Sequence, residues 1–258
     1  MLNKMIIVEV KNCRVCMSPL FGILEMVVII VLLKTVTGMS TPGLYFADFI
    51  IISFLILTGS LCSLFIHEYA HALAARQVDL PIKEITVSFC GAHTLLDREP
   101  LQPKEALLVS VAGPLANIFA GIILYAGHLA FSQSDILGTV FFCLSVFNGI
   151  LSIYNLMPVM PLDGGMIVRS ALWLVSGNWT WSTRRALLIG NGFAVLCVIA
   201  GITFILIHHS IMCVVLSILG LSFWQSEKSA YERLLAAKIL NVVPPKDLRE
   251  EVMKDAVR

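Results

Sequence analysis

His67-Glu68-Tyr69-Ala70-His71 sets two imidazoles four residues apart, with a carboxylate beside the first. Residues four apart share one face of a helix, so both rings can grip one metal ion. Glu68 then stands where it can serve as base toward a water at that ion. The surroundings sharpen the point. Leu64, Phe65 and Ile66 precede the motif, Ala72, Leu73, Ala74 and Ala75 follow it, and the first charge beyond is Arg76. Ionisable groups within an apolar helix are expensive and mark function where they persist. The competing reading is a set of interfacial polar residues at a helix end, which demands no such spacing.

A catalytic zinc takes three protein ligands and keeps one position open. Asp163 is the best candidate for the third. It follows Asn155-Leu-Met-Pro-Val-Met-Pro-Leu162, where Pro158 and Pro161 force a helix to unwind. Gly164 and Gly165 behind it permit close backbone approach. Asp163 also suits the N-cap of a helix over 164–175, and the two roles are compatible.

The elements that carry these residues follow from composition. Of 258 residues, 58% are hydrophobic and 14% charged, and the mean hydropathy is +0.88. A soluble domain carries roughly a quarter charged residues, so the medium is the lipid bilayer. A net charge of +1 gives no reason to invoke nucleic acid. Seven scattered cysteines argue against a disulfide framework, and Cys13-x-x-Cys16 has metal-ligand spacing but no second pair. The apolar patch 5–8 is too short for a signal peptide.

A bilayer-crossing helix needs about 20 apolar residues. Residues 49–66, 106–127, 136–156 and 186–207 qualify or come close, without Lys, Arg, Asp or Glu. Two weaker spans flank them: 17–33, interrupted by Glu25, and 210–224. The expected fold is therefore an all-α polytopic membrane protein of about six transmembrane helices, a single domain over 1–258. Its three-helix catalytic core lies at about 46–175, with an amphipathic helical tail at about 226–258. Alternating apolar residues Ile82, Ile85, Val87 and Phe89, broken at Cys90-Gly91-Ala92, add a small membrane-associated β-hairpin. Lys and Arg gather in alternate loops: Lys4, Lys11 and Arg14; Arg76, Lys83, Arg98 and Lys104; Arg169, Arg184 and Arg185; and seven in the tail. The opposite loops hold only Lys34, which places both termini in the cytoplasm.

His-Glu-x-x-His in one span, followed by Asn155, Pro158, Leu162, Asp163 and Gly164 near a later one, resembles the site-2 protease family of intramembrane metalloproteases. Gly113-Pro114-Leu115-Ala116-Asn117 is similar to that family's Gly-Pro-x-x-Asn signature. The resemblance covers about 67–165. It implies one Zn2+ ion held by His67, His71 and Asp163, with Glu68 as catalytic base and Asn155 close to the substrate strand. Asn117 and Gly91 are further substrate-side candidates, and Asn117 is alternatively a hydrogen-bonding neighbour of the zinc site. The family's PDZ and CBS additions find no room here, so a compact core answering to a regulatory membrane partner or to its tail is expected.

The remaining polar residues read more plainly. Gly113, Asn117 and Gly121 recur at helical spacing, so helix packing explains the glycines. Asn148 reads as a helix–helix hydrogen bond, His93 as a loop histidine, His128 and His208–His209 as interfacial, and Glu25 stays unassigned. The function expected is cleavage of transmembrane protein substrates in a bacterial cytoplasmic membrane. The alternatives are an inactive metal-binding scaffold, against which Glu68 argues, and a metal transporter, for which no polar path leads through the bilayer.

Overall fold

Thirty-two residues from Phe46 to Gln77 form one helix, α1, with Asp48 in its first turn and Arg76 in its last, both favourable to the helix dipole. At 1.5 Å per residue it is ~48 Å long, more than the ~30 Å hydrocarbon layer requires. It ends in a Schellman arrangement. Asp79 takes the left-handed conformation at φ 53, Leu80 N–H donates to Ala75 O at 2.9 Å, and Asp79 N–H donates to Arg76 O at 3.3 Å.

The computed structural model describes residues 5–10, 13–17, 46–80, 82–88, 91–96, 100 and 102–208, with backbone alone in the strands. The helices after α1 are α2 (Pro103–Ala130), α3 (Asp135–Asn155), α4 (Asp163–Ser176) and α5 (Trp179–His208). Spans long and apolar enough to cross a membrane lie at Ile50–Gln77, Pro103–Ala130, Asp135–Asn155 and Trp179–Thr203 among the described residues. They correspond to the four strong runs of the sequence. The expected spans 17–33 and 210–224 and the tail 226–258 fall outside the described residues, except that Met17 ends a strand.

The chain groups into two units, Met1–Arg98 with Ala112–Tyr154, and Glu99–Val111 with Asn155–Arg258. In the first, α2 and α3 are joined by a four-residue turn. Ser134 caps α3, its Oγ accepting from Leu137 N–H at 3.2 Å. Side chains then stitch the antiparallel pair at intervals of seven residues. His128 Nδ1 donates to Gly138 O at 2.9 Å, Ser145 Oγ to Gly121 O at 2.9 Å, and Ser152 Oγ to Pro114 O at 3.1 Å. One register therefore runs the length of both helices. On α1, Ile52, Ile56, Gly59 and Ser63 form the stripe facing α3. The isoleucines pack with Val140, Cys143 and Leu144, a Cβ at Gly59 would stand 2.8 Å from Leu144 Cδ2, and Asn148 Nδ2 donates to Ser63 Oγ at 2.8 Å. The next member of that stripe is His67. Asn148 thus forms the interhelical bond its position suggested.

The same unit holds a four-stranded sheet, in which the all-α expectation had only a hairpin. β1 (Met5–Val10), β2 (Cys13–Met17), β3 (Ile82–Ser88) and β4 (Gly91–Leu96) lie in sequence order. β1 pairs antiparallel with β2, β2 parallel with β3, and β3 antiparallel with β4. Among the described strands β3 is therefore central and β4 at an edge. Cys13 and Cys16 belong to β2, and His93 stands opposite Thr86 in β4 rather than in a loop.

In the second unit the loop after α3 closes tightly on the start of α4. A Cβ on Gly164 would collide with the Leu156 and Met157 carbonyl oxygens, and one on Gly165 would stand 2.5 Å from Val159 C. Gly177 at φ 67 ends α4, and Asn178 caps α5 through Oδ1 on Trp181 N–H at 2.7 Å. Met160, Ala186 and Leu187 form the unit's apolar core with Met166 and Val168 beside them. Arg169 is 2% exposed, its guanidinium 5.5 Å from the centroid of the Trp179 ring.

Candidate metal centre

His67, Glu68 and His71 sit two-thirds of the way along α1 and are 3%, 2% and 6% exposed. Tyr69, Phe65, Ile66 and Leu73, on the other sides of the same turns, are exposed. A helix that turns its apolar residues outward and its ionisable ones inward is built for a lipid surround. The two imidazoles stand edge to face, with ring centroids 4.7 Å apart and planes at 82°. Their Nε2 atoms are 3.1 Å apart. Two nitrogens at ~2.0–2.1 Å from a tetrahedral zinc stand roughly 3.3 Å apart, so the pair fits a shared ion with little movement.

The floor under this pair belongs to α2. Gly113 faces both rings: a Cβ there would lie 2.7 Å from His67 Nε2 and nearer still to His71 Nε2. The glycine leaves open the space at the tips of the two nitrogens. One turn on, Asn117 is fully buried, its amide Nδ2 3.1 Å from His67 Nδ1. Reading the glycines as packing residues missed Gly113's approach to the histidines. The available signal was the four-residue spacing of Gly113 and Asn117, which puts both on one face.

Asp163 is the first residue of α4 and half-buried. The cap position belongs to Leu162, in extended conformation and without a side-chain cap bond. Asp163 is thus inside the helix and not its cap, against the capping alternative, and its carboxylate lies where the helix dipole favours negative charge. His67, His71 and Asp163 offer one ligand atom each, two imidazole nitrogens and a carboxylate oxygen. That donor set suits Zn2+. Asn155 ends α3, and Gly91 opens β4 opposite Ser88.

Comparison with known proteins bears on the same segments. A profile described as Peptidase family M50 matches residues 54–137 and 130–200. The sll0528 protein of Synechocystis sp., named as a candidate zinc metalloprotease, is 31% identical over 139 residues, 52% of this chain and 36% of that protein. Rip3 of Mycobacterium tuberculosis, similarly named, is 34% identical over 123 residues, 46% of this chain and 31% of that protein. Zinc metalloprotease MJ0392 of Methanocaldococcus jannaschii is 29% identical over 140 residues, 54% of this chain and 40% of that protein. The chain thus spans 31% to 40% of the length of these curated relatives. A solved site-2 protease from Methanocaldococcus jannaschii has the same fold, with a TM-score of 0.58 at 23% identity over 88% of this chain and 94% of that one. The profile runs across more than half of the chain and takes in the His-Glu-x-x-His turn, the Gly113–Asn117 floor and Asp163 together, and on that ground the chain belongs to peptidase family M50.

Proposed function

We propose that this protein is a zinc endopeptidase that cuts transmembrane segments of membrane-anchored proteins near the cytoplasmic face. The observation that carries the reading is the buried His67, Glu68, His71 cluster within a helix apolar enough to cross a membrane. Family membership and the zinc metalloprotease names of the relatives support it. Asp163 serves as third ligand and leaves one position open. A bound zinc ion supplies Lewis acidity and brings the pKa of a coordinated water toward neutrality. Glu68 takes the water proton and returns it to the leaving amine nitrogen. A scaffold that only bound zinc would have no use for a buried glutamate at that position.

A transmembrane substrate hides its peptide bonds in a helical ladder. Once unwound, its backbone groups need partners in a place without water. An exposed strand edge offers them. Within the hairpin over 82–96, β3 is paired on both sides, so the reading assigns the edge to β4, whose first residue is Gly91. Asn155 is the further residue assigned to contact the bound strand. Thr94 and Leu95 are neighbours whose N–H groups point to opposite edges of β4. Proline at the position facing the outer edge is expected to cut cleavage while fold and zinc content stay intact. Normal cleavage by both Thr94→Pro and Leu95→Pro would remove the edge-strand role. The released products are cytosolic domains or trimmed membrane stubs, and the Lys and Arg distribution supports a cytoplasmic side for both termini.

Glu68→Gln tests the whole reading. With a tagged single-span substrate co-expressed, the variant is expected to retain zinc and lose cleavage by at least ~10²-fold, the usual contribution of a general base. Cleavage at the wild-type rate would end the protease assignment.

A further inference from the structure

We propose that the Gly113–Asn117 face of α2 sets the metal-binding form of His67, with Asn117 accepting the ring Nδ1–H and Gly113 keeping the ion's place open. This rests on the zinc reading above. Of the two roles the sequence left open for Asn117, a substrate contact and a hydrogen-bonding neighbour of the zinc site, it takes the second and gives it a specific task.

The ring proton is the crux. His67 and His71 meet through their Nε2 atoms, so Nε2 of His67 is the nitrogen that must offer a lone pair. In a neutral imidazole the proton then sits on Nδ1, and a buried Nδ1–H needs an acceptor. Asn117 is the side chain beside it, at 3.1 Å. An amide has two orientations that only its hydrogen bonds distinguish. With Nδ2 toward the ring, Nδ1 must accept, the proton moves to Nε2, and the lone pair for the ion is gone. In that orientation Oδ1 is also buried with no hydrogen-bond partner. Turned over, Oδ1 accepts from Nδ1–H and frees Nε2. Either orientation leaves one end of the amide facing the interior, so the ring proton decides between them.

Gly113 acts on the same two nitrogens from one turn away. A methyl group at its Cβ position would occupy the space that an ion shared by the two Nε2 atoms requires. That methyl group would meet the tips of two imidazole side chains and crowd the Pro114 ring, so the fold of Gly113→Ala is checked separately from its metal binding. If Gly113 serves the ion, the substitution empties the site without unfolding α2.

The test uses the purified 258-residue chain in detergent micelles. Zn2+ affinity is measured by competition with a chromophoric chelator, ligand geometry by the Co2+ absorption spectrum, and stability by thermal unfolding of the metal-free form. Asn117→Leu, close in shape and apolar, is expected to weaken Zn2+ by roughly 10–100-fold and to alter the Co2+ bands. Asn117→Asp, which can only accept when ionised, is expected to restore affinity to within about 3-fold of wild type. Gly113→Ala is expected to lose Zn2+ binding while the metal-free form still unfolds in one cooperative transition. Wild-type affinity in Asn117→Leu overturns the positioning role, and an Asn117→Asp variant as weak as Asn117→Leu overturns acceptance by Oδ1. Undiminished binding by Gly113→Ala overturns the cradle. Should Asn117→Leu not fold, the aspartate and alanine variants decide. A wild-type chain that binds no Zn2+ refutes the underlying zinc reading instead.

Discussion

Removing either imidazole leaves the other Nε2 without the neighbour it meets at 3.1 Å. His67→Ala and His71→Ala are each expected to drop bound zinc from about one ion per chain to a small fraction, since a catalytic site needs three protein donors. Metal analysis of purified protein in micelles reads the result, and retention of a full equivalent would contradict the assignment. Asp163→Ala should behave alike if it is the third ligand. Gly164 carries a different prediction. A Cβ there meets the Leu156 and Met157 carbonyls, so Gly164→Ala should destabilise the chain by about 1–3 kcal/mol through overpacking, seen as a lower unfolding midpoint of the metal-free form. The His-Glu-x-x-His turn was legible because its spacing alone implies a shared face. Gly113 was not, because a glycine states only that room is needed and never what fills it.

At the scale of elements, the stitching of α2 to α3 gives the site its rigidity. Ser145 and Ser152 each donate to a carbonyl of the facing helix, at Gly121 and Pro114, in one seven-residue register. Pro114 carries no N–H, so α2 lacks the rung to the Ser110 carbonyl, while the Ser152 hydroxyl donates to the Pro114 carbonyl itself. Ser152→Ala should cost ~0.6 kcal/mol, the usual size of an interhelical hydrogen bond in membrane proteins. Ser145→Ala, two turns away, should add independently. Unfolding in detergent measures both, and a double variant no less stable than wild type would contradict the register's contribution. The helices were readable from apolar length, and β3 from its alternation. β1 and β2 were not: each is five or six residues long, and the parallel pairing of β2 with β3 joins Arg14 to Glu84. Nothing local in β2 announces a partner seventy residues away, and β1 is paired only with β2.

For the whole molecule the governing facts are the apolar helices that can cross a bilayer and the ionisable cluster within one of them. Composition made the first legible at once, because 58% hydrophobic and 14% charged residues depart strongly from the roughly one-quarter charged usage of soluble domains. The proposed third ligand was harder to find, since Asp163 stands nearly a hundred residues from His67 and sequence left its capping role open. The central claim concerns where cleavage happens. It is tested most directly by reconstituting the purified chain with a single-span reporter in lipid vesicles and reading the cut site by mass spectrometry. The reading predicts a scissile bond inside the reporter's apolar span, with product formation abolished by Glu68→Gln and by a zinc chelator. A cut in the water-exposed flank of the reporter, or the same cut from Glu68→Gln, would contradict it.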